Sequence, residues 1–308
     1  TPGVAVATTT HIMIAMKKTV LSLLLLSSLA GMGGDKLLGE RNSMGIPSST
    51  SNGEEIIRIL AIGNSFSEDA VDQYFHEICA AAGKRVVVGD LYIPGCPLER
   101  HHLNAQTDSA AYRYRRIGLD GVTITASPVT LSSALATDEW DFISFQQSSP
   151  LSGLYSSYGT LKPLMEYVDS VTPGHPVYMW HQTWAYSPDS SHGAFPTYGR
   201  DQKIMYDSIM GASRRAMEEH PALTLLIPTG TAIQTARVAG GDADLTRDGY
   251  HLDQLTGRYI AACTWFETIF GESVVGNPYH PEGMTESQAL FAQKAAHAAV
   301  KSPYAVRF

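Results

Sequence analysis

Cysteine is scarce in this chain, with three among 308 residues. That excludes a small disulfide-stapled scaffold, which needs several bridges because its core is thin. A chain of this length buries a core large enough to fold without them. Cys79 and Cys263 stand in apolar helical patterns and read as buried thiols. Cys96 lies in a Gly/Pro loop, so one disulfide stays open without a preferred pair, and a Cys96 nucleophile is a weaker alternative. Basic charge is also short: 22 Lys and Arg against 30 Asp and Glu give a net charge of −8. No footprint for nucleic acid or an anionic membrane results. Internal repeats and low-complexity tracts are absent from the body of the chain. His101 and His102 beside Glu99 lack a further partner at metal-ligand spacing, so neither a metal nor an organic cofactor is expected.

One long apolar run stands near the N-terminus. Met16-Lys17-Lys18 is followed by residues 19–25 and then Leu26-Ser27-Ser28-Leu29-Ala30. This is the basic, apolar, small-residue order of a signal peptide, too short for a comfortable membrane span. No Cys follows it to carry a lipid anchor. Residues 1–30 therefore read as a spurious extension plus signal peptide, with the start at Met16. Residues 31–54, rich in Gly, Ser, Asn and Pro, read as a flexible leader. A single domain is expected over 55–308, in an exported protein, periplasmic or extracellular, with no stable membrane span in its mature form.

Within that domain, short apolar β-branched runs alternate with helical periodicity. Strands are predicted at 56–62, 85–92, 141–145, 176–180 and 223–227. Helices are predicted near 68–82, 131–136, 158–170, 198–219, 230–239 and 253–270. Residues 98–116 fit neither period, and 121–125 is a short extended piece. The alternation implies an α/β fold, a three-layer α/β/α sandwich around a mostly parallel five-stranded sheet.

The first strand ends at Gly63 and leads through Asn64-Ser65-Phe66-Ser67 into a helix. In open α/β sheets, ligands gather at the carboxyl ends of the strands, which makes Ser65 a candidate nucleophile. The alternative is that Ser65 or Ser67 caps the helix. A serine nucleophile needs a base, and the base needs an orienting group. Asp248-Gly249-Tyr250-His251 supplies both in one turn, with the Asp248 carboxylate in reach of one imidazole nitrogen of His251 and the other free for Ser65. An oxyanion hole needs donors where negative charge develops. The candidates are the Ser65 and Gly95 amides and a side-chain amide from Gln146 or Gln147. After the fourth strand come His181, Trp184 and Tyr186, set to bond a hydroxyl or stack on sugar rings, or else to serve as core and satisfied loop residues.

These segments, in this order, resemble the SGNH hydrolase (GDSL-type esterase) superfamily over roughly residues 56–271, in particular an exported bacterial branch of SGNH-like proteins. Gly63-Asn64-Ser65-Phe66-Ser67 stands for the Gly-Asp-Ser block, Gly95 for the glycine block, and Asp248 and His251 for the terminal Asp-x-x-His block. The Gly-x-Asn-Asp block is missing, and Gln146-Gln147-Ser148-Ser149 stands in its place. Gln147 is the first substitute for the oxyanion-hole asparagine and Gln146 the second. The resemblance implies a flavodoxin-like fold and an exported serine esterase that hydrolyses short acyl, especially O-acetyl, esters on carbohydrate or another small ester substrate. A lipase or thioesterase, or an inactive glycan-binding relative, is the alternative.

Overall fold

The run Ile56–Gly63 forms β1, whose Leu60 and Ala61 are wholly buried. Such a run, apolar on both faces, suits the centre of a covered parallel sheet. The computed structural model describes residues 55–240 and 243–308. The signal-peptide and leader readings lie outside the described residues.

After β1 the chain forms α1 (Ser65–Val71), α2 (Phe75–Ala81), β2 (Arg85–Tyr92), α3 (Leu98–Thr107), β3 (Tyr112–Ile117), β4 (Thr123–Val129) and α4 (Leu131–Leu135). It continues through β5 (Phe142–Phe145), α5 (Leu161–Val171), β6 (Val177–His181), α6 (Gln202–Glu219), β7 (Leu223–Ile227), α7 (Thr229–Ala239), α8 (Thr256–Phe270) and α9 (Glu286–Lys301). The sheet has seven strands in the order β4-β3-β2-β1-β5-β6-β7. The five expected strands are present and parallel: β1 pairs with β2 and β5, β5 with β6, and β6 with β7. Two further strands, β3 and β4, add antiparallel to β2. The expected count of five is thus corrected to seven. The extra strands form an edge hairpin rather than βαβ units, and every residue of β4 is at least partly exposed, so no apolar run marks it.

Helices cover both faces. One layer gathers α1, α2, α7, α8 and α9, and the other α3, α4, α5 and α6 over the core around Leu60, Leu91, Ile143 and Trp180. Taken alone, the parallel strands run second-first-third-fourth-fifth, so the chain changes direction across the sheet between β1 and β5. Such a switch point opens a crevice at the strand ends, and Ser65 follows β1 there. The single helix expected over 68–82 is two helices, because Tyr74 adopts a left-handed φ of 70° and hydrogen-bonds through its hydroxyl to the Gln254 carbonyl at 2.6 Å.

Candidate active site

The turn after β1 is built on Asn64. Its side chain caps α1 by accepting from the Phe66 amide at 3.0 Å, so neither Ser65 nor Ser67 is the cap. Gly63 permits a tight approach, since a Cβ there would lie 2.6 Å from Ser67 Oγ and 3.0 Å from Gln146 Cδ. Ser65, first in α1 and half-buried, therefore has its hydroxyl available for another partner.

That partner is His251, whose Nε2 lies 2.8 Å from Ser65 Oγ. On the other side of the ring, Nδ1 is 2.6 Å from Asp248 Oδ2. The second Asp248 oxygen accepts the His251 amide at 2.8 Å and the Tyr250 amide at 3.2 Å, so one carboxylate holds both the backbone and the side chain of the base. Burial alone would raise the Asp248 carboxyl, but the hydrogen bonds from His251 and the two amides outweigh it and hold it below its usual value. Gly249 has φ 89°, and a Cβ would meet Ser190 at 3.0 Å, so both conformation and space demand glycine in this turn.

The loop is closed at its base by a bridge between Thr246 and Leu252 and by the Arg247 amide donating to the His251 carbonyl at 2.9 Å. It is tied to α1 by Asp69, one helical turn after Ser65 and wholly buried. Asp69 accepts Arg247 at 3.0 and 3.1 Å, Arg258 at 2.5 Å and the Leu252 amide at 2.8 Å. Phe66, stacked on Trp184 with ring centroids 4.1 Å apart, sets its edge toward the His251 ring. The Ser65, Asp248 and His251 side chains are thus brought together from positions more than 180 residues apart in sequence.

Gly95 lies in the turn after β2 with φ 59°, and the Cys96 amide closes that turn by donating to the Ile93 carbonyl at 3.2 Å. A Pro94-Gly95 pair at the centre of such a turn fits type II geometry. Asn64 Nδ2 donates to the Cys96 carbonyl at 3.1 Å, which joins this turn to that of Ser65.

The two glutamines differ. Gln147 gives both amide hydrogens to Ser157, at 3.1 and 3.0 Å, and its oxygen accepts the Leu98 and Ser148 amides. This corrects the expectation that Gln147 is the leading oxyanion donor: its donors are occupied in tying β5 to α3 and the 149–158 segment. Gln146, 1% exposed, packs against Gly63 and donates to Asn64 Oδ1 at 2.7 Å, using one of its two amide hydrogens.

The expected substrate-binding residues are also corrected. His181, Trp184 and Tyr186 are each 0% exposed and offer no ring surface to a sugar, and both His181 ring nitrogens are taken up by Gln146 and Thr229. Burial pushes His181 down to about 3, so the ring is neutral. Trp184 donates to the Tyr250 carbonyl at 2.7 Å, and the Tyr186 hydroxyl lies 2.9 Å from Ser149 Oγ. Half-exposed aromatic surface stands instead at Tyr250 and His192, whose rings are 4.7 Å apart, with Tyr250 4.2 Å from His251. The Asp-Gly-Tyr-His turn contained that signal for Tyr250; nothing local marked His192, Asp69, Arg247 or Arg258.

Cys79, Cys96 and Cys263 are free and buried, and burial pushes the Cys96 thiol up to about 12. Among the described residues, no group of three or more His, Cys, Asp or Glu side chains is placed to hold a metal ion. Nor, among them, is any helix long and apolar enough to cross a membrane.

A family described as Domain of unknown function (DUF4886) matches residues 58–299. A solved DUF4886 family protein from Bacteroides uniformis is similar at 44% identity and a TM-score of 0.80, over 82% of this chain and 98% of that one. A putative GDSL-like lipase from Parabacteroides merdae shares 14% identity at a TM-score of 0.47, over 69% and 94% of the two chains. An acetylxylan esterase from Geobacillus stearothermophilus shares 13% at 0.46, over 70% and 95%. No curated protein matches.

Proposed function

The chain belongs to the DUF4886 family, and on that premise we propose that it is an exported serine esterase removing short acyl groups, O-acetyl above all, from carbohydrate. The observation that carries this reading is the continuous line Asp248 Oδ2–His251 Nδ1, His251 Nε2–Ser65 Oγ, at 2.6 and 2.8 Å. A hydroxyl with an oriented base on it is equipped for nucleophilic attack.

Ser65 Oγ attacks the ester carbonyl while its proton passes to His251 Nε2, and Asp248 stabilises the imidazolium. The oxyanion is met by the Ser65 amide, one of the donors that a helix's first turn leaves without an intrahelical partner, by the Gly95 amide, and by the remaining amide hydrogen of Gln146. Collapse expels the sugar alkoxide, which takes the proton from His251. Water, deprotonated by the same imidazole, then attacks the acyl-serine and restores Ser65. Tyr250 and His192 offer half-exposed aromatic surface beside the base for a sugar ring to rest against.

The test is hydrolysis of a short-chain acyl ester and of an O-acetylated polysaccharide by the wild-type protein and by Ser65→Ala. Turnover by wild type that falls to background in the variant is expected. No turnover by folded wild-type protein on either substrate would sink the reading and favour a glycan-binding role.

A further inference from the structure

Resting on that esterase reading, we propose that Thr229 and His181 are positioning residues for the hydrolysis. They act through a one-way hydrogen-bond relay that runs Thr229, His181, Gln146, Asn64, Cys96 carbonyl. The distances along it are 3.0, 2.9, 2.7 and 3.1 Å. Its members stand at or just beyond the carboxyl ends of β7, β6, β5, β1 and β2, so the relay crosses all five parallel strands in their spatial order.

The direction follows from two groups whose roles are fixed. The Phe66 amide can only donate, so the Asn64 atom facing it is the oxygen. The Cys96 carbonyl can only accept, so the Asn64 atom facing it is the nitrogen. With Asn64 Oδ1 thus placed, the end of Gln146 against it must be the NH2, and Gln146 Oε1 must face His181 Nδ1. His181 Nδ1 therefore carries the hydrogen. The neutral ring then accepts at Nε2, and Thr229 donates to it.

The two ends of a glutamine amide are nearly alike in shape, and only their partners decide which way it sits. His181 N–H and Asn64 Oδ1 together specify that Gln146 turns its oxygen toward β6 and its nitrogen toward the Ser65 turn. Without that N–H only the Asn64 contact opposes rotation of the amide. A rotated amide would set an oxygen against Asn64 Oδ1 and face the developing oxyanion with an acceptor in place of a donor. The last link, Asn64 to Cys96, carries the same order to the Gly95 turn. Since a single oxyanion donor is worth about 10²–10³ in kcat, a residue that sets its orientation has a large effect without touching substrate.

The test has a spectroscopic and a kinetic part. The ¹⁵N resonances of His181 in the wild-type protein, identified by their loss in His181→Asn, should show the neutral Nδ1–H tautomer from pH 5 to 8. On a short-chain acyl ester, His181→Phe should lower kcat by on the order of 10–100-fold with KM and the pH midpoint unchanged. His181→Asn places an amide N–H where Nδ1–H was and should recover kcat to within about fivefold of wild type. Thr229→Val, nearly isosteric and the milder variant should His181→Phe not fold, should lower kcat about 3–10-fold. An Nε2–H tautomer, unchanged kcat in the folded variants, or an Asn variant no better than Phe would each overturn the relay. Absence of turnover by the wild-type protein would sink the esterase reading and the positioning role with it, while the tautomer would still decide the direction of the chain.

Discussion

Two walls meet at Ser65, and they are built from different chemistry. The wall along the strand ends is neutral: Thr229, His181, Gln146 and Asn64 are joined by hydrogen bonds between uncharged groups. The wall formed by α1 and the 246–252 loop is ionic, with the buried Asp69 carboxylate between Arg247 and Arg258. Charge attraction depends on distance more than on direction, so the ionic wall fixes where the His251 loop sits. Amide and imidazole hydrogen bonds have a donor end and an acceptor end, so the neutral wall fixes which way each polar group faces. Position and polarity are supplied separately.

The comparison breaks most visibly at the ionic wall. Asp69→Ala leaves Arg258 buried with its counter-charge gone, and denaturant unfolding should show a loss of about 3–5 kcal/mol. A loss under about 1 kcal/mol would mean that the clasp is not holding the loop. At the neutral wall, Gln146→Leu strands the His181 N–H and removes one donor from Asn64. The same measurement should give about 1–3 kcal/mol, and an equal loss in both variants would erase the distinction drawn here.

A pH series sharpens it further. Burial, with Arg115 opposing and Glu68 adding to it, pushes Asp72 at the end of α1 up to about 6. Its folded value lies above its unfolded one, so its contribution to stability is complete below about pH 4 and is lost as pH rises through about 6. Asp248, held low, runs the other way: its contribution is present above the ordinary carboxylate range and is lost as pH falls through the lowered value. Melting temperatures of Asp72→Asn should therefore be flatter than wild type between pH 4 and 6, and a parallel curve would refute the assignment.

The smallest effect is expected at Asp90. Ser67 Oγ lies 2.8 Å from the Asn64 carbonyl and 3.0 Å from Asp90 Oδ1, yet has one hydrogen to give. With that hydrogen on the carbonyl, the buried Asp90 must donate and so be protonated, in line with burial raising its carboxyl well above the usual range. Asp90→Asn keeps a neutral donor in place and should alter stability by less than about 1 kcal/mol. A several-fold larger loss would mean that Asp90 is ionised and belongs to the ionic wall.

The parallel strands were legible as apolar runs: β1, β2, β5 and β6 are covered on both faces, and the edge strand β7 keeps such a run although only Leu223 and Ile227 are buried. The hairpin was not. In β3, Tyr112 and Tyr114 face inward between arginines, an alternation present in the sequence, but β4 has no buried face to leave a trace. Helix α9 was missed although Thr285 and Gln288 form a capping box ahead of Ala289, Ala292, Ala295, Ala296 and Ala299, because alanine is a faint hydrophobic signal. That Ser65, Asp248 and His251 would meet was legible from their turns taken together with the order of the segments. Their supports were not, since Asp69 meets Arg258 across 189 positions. His181, Trp184 and Tyr186 misled because residue type does not report burial: the chain after β6 turns inward beneath the 248–251 turn rather than out to solvent.

The base that we propose for the reaction and the carboxylate that orients it stand three residues apart on one loop that is closed by its own backbone bridge. A triad gathered from three independent segments has two separations that drift apart under thermal motion. Here the Asp248–His251 pair travels as one piece, and a single coordinate, the gap from the loop to α1, sets whether Ser65 has a base. Widening that one gap would part Ser65 from His251 while the Asp248 contact keeps the imidazole oriented.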